Sequence, residues 1–391
     1  MKNNFLSIID YGSKKIRLTI YDNNRNLLYS SYTEQADQEN IEERSKKIVK
    51  IIKNAEKKIS SHIENCIVLL DDPELLSIDI SFKKNYDKEV IIKDQMSSLN
   101  LEAEQQVKDN YSNFNIVNSI ISKYRINDTY FVDILDDKVT GDRLVLDFKF
   151  LCLPTSKYNY IKDVFNKSNL NILNLFSGTF VRSSFYRKKF KNYNSLYFLE
   201  IGWERSTLIF FNKNTIEYIK NIKIGGNHIT KDISKIFKIN LQESEKIKEI
   251  FHSSEEEFSY EFNDRKKNLS IKNLMGHEID TDMLKQVVLA RIQEILNFCF
   301  KETQAKYFIN KFEKGILVLI GEGSKILSKN SFDFEDKYSF SEIISYTEET
   351  DEICEAGLEY YLNNKNNISK NSLKKTKKTG LFEKFFNLFS N

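Results

Sequence analysis

Residues 196–233 read LYFLEIGWERSTLIFFNKNTIEYIKNIKIGGNHITKDI. The stretch parses into an apolar run of strand character at 196–201, a turn at 202–206 and a second apolar run at 207–211. After a polar break at 212–215 a third strand is expected at 216–224, and the pair Gly225-Gly226 then opens a helix near Asn227. An acid at the end of a strand, a glycine turn and a returning strand make a hairpin that offers backbone N–H groups to a phosphate. Glu200 and Gly202 hold the acid and glycine positions here.

Two other stretches carry the same device. At the start of the chain, residues 5–9 are apolar, Asp10-Tyr11-Gly12-Ser13 is the turn and 16–21 is the return. Gly12 permits close approach of backbone to an oxyanion, and Ser13 adds a hydroxyl donor. Taken alone, this hairpin reads more readily as an ordinary turn begun by Asp. Near the other end, GILVLI at 315–320 runs into Gly321-Glu322-Gly323-Ser324. Three acid–glycine turns in this order predict a duplicated α/β fold whose halves clamp one nucleotide. The helix begun by Gly225 and Gly226 adds free N–H groups and a dipole suited to an anion.

Residues 222–248, IKIGGNHITKDISKIFKINLQESEKIK, make a family resemblance specific. They resemble the bacterial cell-division FtsA family, membrane-tethered relatives of actin, whose pattern is Gly-Gly, then Ile-Thr-x-Asp-Ile, then Ala/Ser-Glu-x-Ile-Lys. The resemblance runs from residue 5 to 391 with each landmark in the family's order. It implies an actin-like (ribonuclease H-like) duplicated fold in two halves, with a subdomain called 1C inserted in the first. The implied layout is 1A at 1–80 and 156–194, 1C at 81–155, 2A at 195–222 and 303–362 with a closing helix, and 2B at 223–302. A flexible basic linker at 363–380 and an amphipathic membrane-targeting helix at 381–391 follow.

The resemblance also implies ATP and Mg²⁺ as cofactors. Asp10 would hold Mg²⁺ through water, and Lys15 sits at the family's lysine. Glu245 and Lys248 would contact ribose and adenine, although three residues apart on one helix their spacing alone favours a solvated ion pair. Gly321, Gly323 and Ser324 would press backbone against adenine, with Glu322 replacing one glycine of that motif and Ser328 standing where another often follows. The second hairpin departs further, because Trp203 and Glu204 replace two glycines of the family's acid-Ile-Gly-Gly-Gly-Thr-Thr. A Glu204 side chain turned toward a triphosphate would be repelled, whereas backbone N–H groups serve if both side chains point outward. Nothing marks out a general base, so the expected work is scaffolding, with slow ATP hydrolysis at most.

Composition sets the bounds. A chain of 391 residues, 40% hydrophobic and 29% charged, is long enough for two or more domains with real cores and reads as soluble and globular. A net charge of +3 makes no electrostatic demand for nucleic acid. Cys66, Cys152, Cys299 and Cys354 have no paired spacing and apolar neighbours, which suggests reduced, core-filling thiols. The four histidines form no metal motif, the first apolar run is too short for a signal peptide, and no run reaches the roughly 18 apolar residues of a spanning helix.

Between the landmarks, a helix is expected over 41–63, with Ile41, Ser45, Ile48, Ile51, Ile52, Ala55 and Ile59 on one face, then a strand at 66–70. Strand runs at 78–82 and 89–92, a helix at 101–108, strands at 114–124 and 129–134, a turn at 140–142 and a strand at 143–153 fill the 1C span. By resemblance that span is an interaction module for filament neighbours and later division proteins; a purely structural unit fits the residues equally. Helices at 158–165 and 180–186 flank a strand at 172–176. The acidic run 255–257 and the basic run 265–267 are expected on exposed hairpin surface. In a helix over 283–300, Arg291 and Glu294 match the family's Arg-x-x-Glu, and the resemblance makes that edge the receptor for the C-terminal peptide of the tubulin-like FtsZ. A plain surface ion pair has the same spacing.

Residues 363–379 lack an apolar period and include Lys374, Lys375, Lys377 and Lys378, the composition of a flexible tether. Beyond Gly380, Leu381, Phe382, Phe385, Phe386, Leu388 and Phe389 share an arc of about 160° at helical pitch, opposite Glu383, Lys384, Asn387 and Ser390. Such a helix suits the interface of an anionic membrane, or alternatively a protein groove. Six such side chains give a gross ~10 kcal/mol, reduced by partial burial and ordering. One tail should therefore bind reversibly, and a self-assembled filament should hold firmly through many tails. The expectation is a peripheral protein on the cytoplasmic face of the bacterial inner membrane, tethering FtsZ at the division septum. A pilus-assembly actin relative and a sugar-kinase-like phosphotransferase are the alternatives.

Overall fold

Two five-stranded sheets repeat one strand order. The computed structural model describes residues 5–36, 39–131, 139–261, 279–301, 307–308, 314–327 and 340–372. In the first sheet, β1 (Phe5–Tyr11), β2 (Lys15–Asp22) and β3 (Leu27–Glu34) form an antiparallel meander, and β4 (Asn65–Leu70) and β9 (Asn171–Ser177) add in parallel beside β1. In the second, β10 (Ser195–Ile201), β11 (Ser206–Asn212) and β12 (Thr215–Ile222) form the meander, and β13 (Ile316–Ile320) and β14 (Glu342–Ser345) add in parallel beside β10. The orders are β3-β2-β1-β4-β9 and β12-β11-β10-β13-β14, the same path twice. The duplication expected from the acid–glycine turns is thus present in the backbone.

Helices cover the sheets: α1 (Ile41–Ile59), α3 (Thr155–Lys167) and α4 (Gly178–Tyr186) in the first half, α5 (Gly226–Phe237), α6 (Leu241–Glu261) and α7 (Thr281–Leu296) in the second. A capping box starts α1: the Asn40 side chain accepts from the Glu43 N–H, and Glu43 reaches back to the Asn40 N–H. Strand β10 is buried on both faces, which is why it reads as an unbroken apolar run. Leu196 and Phe198 join a core with Ile8, Ile67 and Val68 of the first half, whereas Tyr197, Leu199 and Ile201 pack toward Ile229, Val288 and Ile292. The last helix, α8 (Thr350–Ser372), follows the second sheet in the chain and packs back onto the first. Its Gly357 lies so close to the first sheet that a Cβ there would stand 3.0 Å from Leu69, and Tyr360 packs edge-on against Phe176 and Phe180.

Between β4 and β9 a four-stranded sheet of order β5-β8-β6-β7 is inserted, built from β5 (Leu76–Ile91), β6 (Phe114–Ile126), β7 (Thr129–Phe131) and β8 (Thr140–Pro154). With α2 (Ile92–Asn110) it has its own core around Phe148, Phe150, Leu99 and Ala103.

Several elements differ from expectation. The runs at 78–82 and 89–92 merge into one strand, because pairing to β8 continues through Lys83, Lys84 and Asn85 and resumes at Val90 after a register shift, so the residues between the runs need no turn. Helix α2 then begins nine residues earlier than expected. Residues 140–142 are not a turn but the start of β8, where Gly141 admits Ile126 at a distance that a Cβ would violate (2.5 Å). Residues 255–257 continue α6, as glutamate's helix propensity allows. The 283–300 helix ends as α at Leu296 and closes with a π-turn, Asn297–Lys301. Helix α8 runs ten residues into the stretch read as tether; once nucleated by its packed first turns, it propagates at little cost. Residues 265–267, Ser328, Lys374, Lys375, Lys377, Lys378 and the apolar arc Leu381, Phe382, Phe385, Phe386, Leu388 and Phe389 lie outside the described residues.

Candidate functional site

The hairpins β1–β2 and β10–β11 point their turns at one another, and their registers match. Asp10 lies opposite Arg17, and Glu200 lies opposite Thr207. Each turn is closed the same way: the Gly12 N–H donates to the Lys15 carbonyl at 3.0 Å and the Gly202 N–H to the Arg205 carbonyl at 2.8 Å. The third turn leaves β13 at Gly321, whose φ of +83° favours glycine, and presses Gly323 onto the end of β10, where a Cβ would meet the Ile201 carbonyl at 2.6 Å.

Between these turns is a cleft of about 420 Å³. It gathers Asp10, Gly12, Ser13 and Lys15, Glu200 and Gly202, Gly226, Glu245 and Lys248, and Gly321, Gly323 and Ser324. Gly225 stands behind the wall, where its missing Cβ admits the Gly202 and Trp203 carbonyls. Of the two residues replacing glycine in the second turn, Glu204 is exposed and does not line the cleft. Trp203, by contrast, faces inward. Its ring lies under Lys14 Nζ at 4.0 Å and Lys248 Nζ at 4.8 Å, a cation–π arrangement drawn from both halves. Glu245 accepts from Lys248 at 2.6 Å and from Lys14 at 3.3 Å, and Lys248 also donates to Thr230 Oγ1 and the Gly226 carbonyl.

The floor of the cleft is a charge network that the sequence reading missed. Arg182 and Arg205 are buried and flank Glu200. Arg205 Nη2 also reaches Asp71 at 2.7 Å and Thr179 Oγ1 at 2.7 Å. Arg182 pairs through its other nitrogen with Glu348 at 2.9 and 3.0 Å. Glu348 further accepts from the Gly321 N–H at 2.8 Å and the Tyr186 hydroxyl at 2.9 Å, so the third turn is tied to the floor. Burial alone would raise the Glu200 carboxyl, but the Arg182 and Arg205 guanidiniums bring it down to about 2. Burial pushes the Glu348 carboxyl up, against the pull of Arg182.

Asp10 does not stand free for a metal's water shell. Arg17 Nη1 holds its Oδ2 at 2.8 Å, and burial pushes the Asp10 carboxyl above its ordinary value against the pull of Arg17. A Mg²⁺ ion at a nucleotide keeps several waters and is held by one or two carboxylates beside the phosphates. Asp10, Asp71 and Glu200 each already carry a guanidinium. The glycine turns and the lysines fit a polyphosphate; the acids do not fit a divalent cation. Arg17 was legible in principle, since a hairpin register that places Asp10 at a strand end puts residue 17 directly across from it. Arg182 and Glu348, separated by 166 residues, carry no such signal.

Arg291 and Glu294 lie outside the cleft. Arg291 makes a two-pronged ion pair with Asp232 of α5, at 2.6 and 2.9 Å, and also contacts Glu294. It therefore staples α7 to α5.

Comparison with known proteins places this geometry. No curated protein matches the chain in sequence. Among solved structures, a PilM–PilN type IV pilus biogenesis complex is similar with a TM-score of 0.59 at 12% identity, over 93% of this chain and 98% of that one. MreB5 of Spiroplasma citri bound to ADP is similar with a TM-score of 0.51 at 10% identity, over 94% and 99%. At these identities the likeness concerns the fold. The family model described as cell division protein FtsA matches residues 197–359, which span the second hairpin, the glycine-opened helix and the third turn. The chain is thus an actin-like ATPase-fold protein whose residues 197–359 are matched by the FtsA cell-division family.

Proposed function

We propose that the protein is a nucleotide-binding actin-like scaffold of the FtsA kind, which self-assembles and joins FtsZ filaments to the cytoplasmic face of the membrane at the division site. The observation that carries this reading is the FtsA match over the same stretch whose turns converge on the cleft. ATP is the ligand we assign to the cleft, with its phosphates toward the glycine turns and its nucleoside toward Glu245 and Lys248. The reading gives the apolar arc at 381–389 to the membrane, the Arg291–Glu294 edge to the FtsZ peptide and the inserted four-stranded sheet to filament neighbours and later division proteins. No catalytic role is assigned; the work is scaffolding. Among the described residues no helix is long and apolar enough to cross a membrane. A pilus-assembly scaffold is the second reading, favoured by the fold likeness to the PilM–PilN complex over nearly all of both chains.

The test is recruitment of fluorescent FtsZ filaments to anionic liposomes by the full chain and by a chain lacking residues 381–391. Recruitment by the full chain and its loss on truncation are expected. Absence of recruitment by the full chain would remove the FtsA-type role and leave the pilus-type scaffold; recruitment that survives truncation would remove the tail as anchor.

A further inference from the structure

Arg17 is held at the mouth of the cleft by two carboxylates from opposite halves. One guanidinium nitrogen is fixed to Asp10 at 2.8 Å and the other reaches Glu322 of the third turn at 3.0 Å. Lys15 Nζ meets both oxygens of the same Glu322 carboxylate, at 2.7 and 2.9 Å. The three side chains differ in freedom. Arg17 is 15% exposed and Asp10 9%, whereas Glu322 is 52% exposed and hangs from a short turn. Glu322 is therefore the member that can leave, and it presents to Lys15 and Arg17 two anionic oxygens, as a phosphate would.

We infer that the cleft takes a nucleoside polyphosphate without a divalent metal, with Arg17 and Lys15 as its counter-cations once Glu322 swings away. This rests on the nucleotide reading of the cleft and specifies how charge is balanced there. A Mg²⁺ ion seated at Asp10 would either stand beside a largely buried guanidinium or require breaking the Asp10–Arg17 pair, a costly arrangement. The same holds for Glu200 at the second hairpin and Asp71 just beyond β4, bracketed by Arg182 and Arg205. A guanidinium anchored on one side by Asp10 instead offers its remaining N–H donors to phosphate oxygens in a preset direction, and its planar fork matches them. Little ordering cost remains for binding to meet.

Trp203 is the chain's sole tryptophan and lies in the cleft, so its emission reports occupancy. The experiment titrates the full chain with ATP, in excess Mg²⁺ and in excess EDTA, followed by Trp203 emission and by calorimetry. The two affinities should agree within about threefold. Arg17→Met should weaken binding in EDTA by about tenfold or more, and Glu322→Gln, a change at a half-exposed side chain that folding tolerates, should tighten it by about threefold. An affinity that falls tenfold or more in EDTA overturns the metal-free inference while leaving the nucleotide reading intact. Unchanged binding in both variants overturns the assignment of Arg17 and Lys15. Absence of binding in either buffer overturns the inference and the nucleotide reading together.

Discussion

Replacing Arg182 by Met tests whether the floor network holds the two halves of the cleft together. The Arg182 side chain is 6% exposed and its guanidinium serves Asp71 and Glu200 from one nitrogen and Glu348 from the other. Methionine fills much of the same volume but leaves the buried Glu348 carboxylate accepting from the Tyr186 hydroxyl and the Gly321 amide without the Arg182 cation. Stranding a buried charge in this way costs about 3–5 kcal/mol. At about 2.1 cal/mol/K per residue, unfolding the whole chain carries an entropy of about 0.8 kcal/mol/K, so the midpoint should fall by about 4–6 °C. The deficit should depend on pH with a definite sign. Without its cation, the folded-state value of Glu348 rises further above the ordinary 4.5, so the folded state binds the proton more tightly than the unfolded chain. The penalty is absent below the ordinary value and grows as pH rises through the folded one. Scanning calorimetry at about pH 5 and about pH 8 should show the larger loss at the higher pH, and adding Glu348→Gln should recover part of it. A variant within about 1 kcal/mol of the parent, or a loss that shrinks as pH rises, refutes the reasoning.

Three further predictions follow from other parts of the molecule. Gly323→Ala forces a Cβ to 2.6 Å from the Ile201 carbonyl and should cost about 1–3 kcal/mol by denaturant unfolding, with loss of Trp203 response to ATP; a neutral change would mean that the third turn does not press on β10. Burial, with Lys231 and Arg291 nearby, pushes the His228 imidazole below its ordinary 6.5, and its Nδ1 accepts from the Gly225 N–H at 3.1 Å. The bond and its stability should be present above the ordinary value and lost as pH falls through the depressed one; an NMR titration midpoint at or above 6.5 would contradict this. Asp232→Asn should cost about 1 kcal/mol by unpicking Arg291, yet leave affinity for an FtsZ terminal peptide within about twofold, whereas Arg291→Glu should lower that affinity by tenfold or more. Equal peptide binding by parent and Arg291→Glu removes the proposed edge.

Much of the fold was legible because its signals are local. An acid, a glycine and flanking apolar runs specify a hairpin within about twenty residues, and the two copies at 5–21 and 196–211 announced the duplication that the matching strand orders display. The cleft-lining residues of the glycine turns came from the same kind of signal, whereas Lys15, Glu245 and Lys248 were expected only from the family resemblance. What escaped was settled at longer range or by side-chain direction. The merging of 78–82 with 89–92 depended on β8 supplying partners across more than fifty residues. Whether Trp203 would face inward or outward could not be read from a turn, because the answer lies with Lys14 and Lys248, brought from different halves.

The sequence by itself determined the paired hairpins, the nucleotide-sized clamp they imply and the greasy arc beyond Gly380, since periodicity and turn chemistry act between near neighbours in the chain. Only the tertiary structure decided how the clamp's charges are balanced. Coulomb energy depends on distance in space and on burial, so the pairing of Arg182 with Glu348 and of Arg17 with both Asp10 and Glu322 exists only once the two sheets have closed on each other.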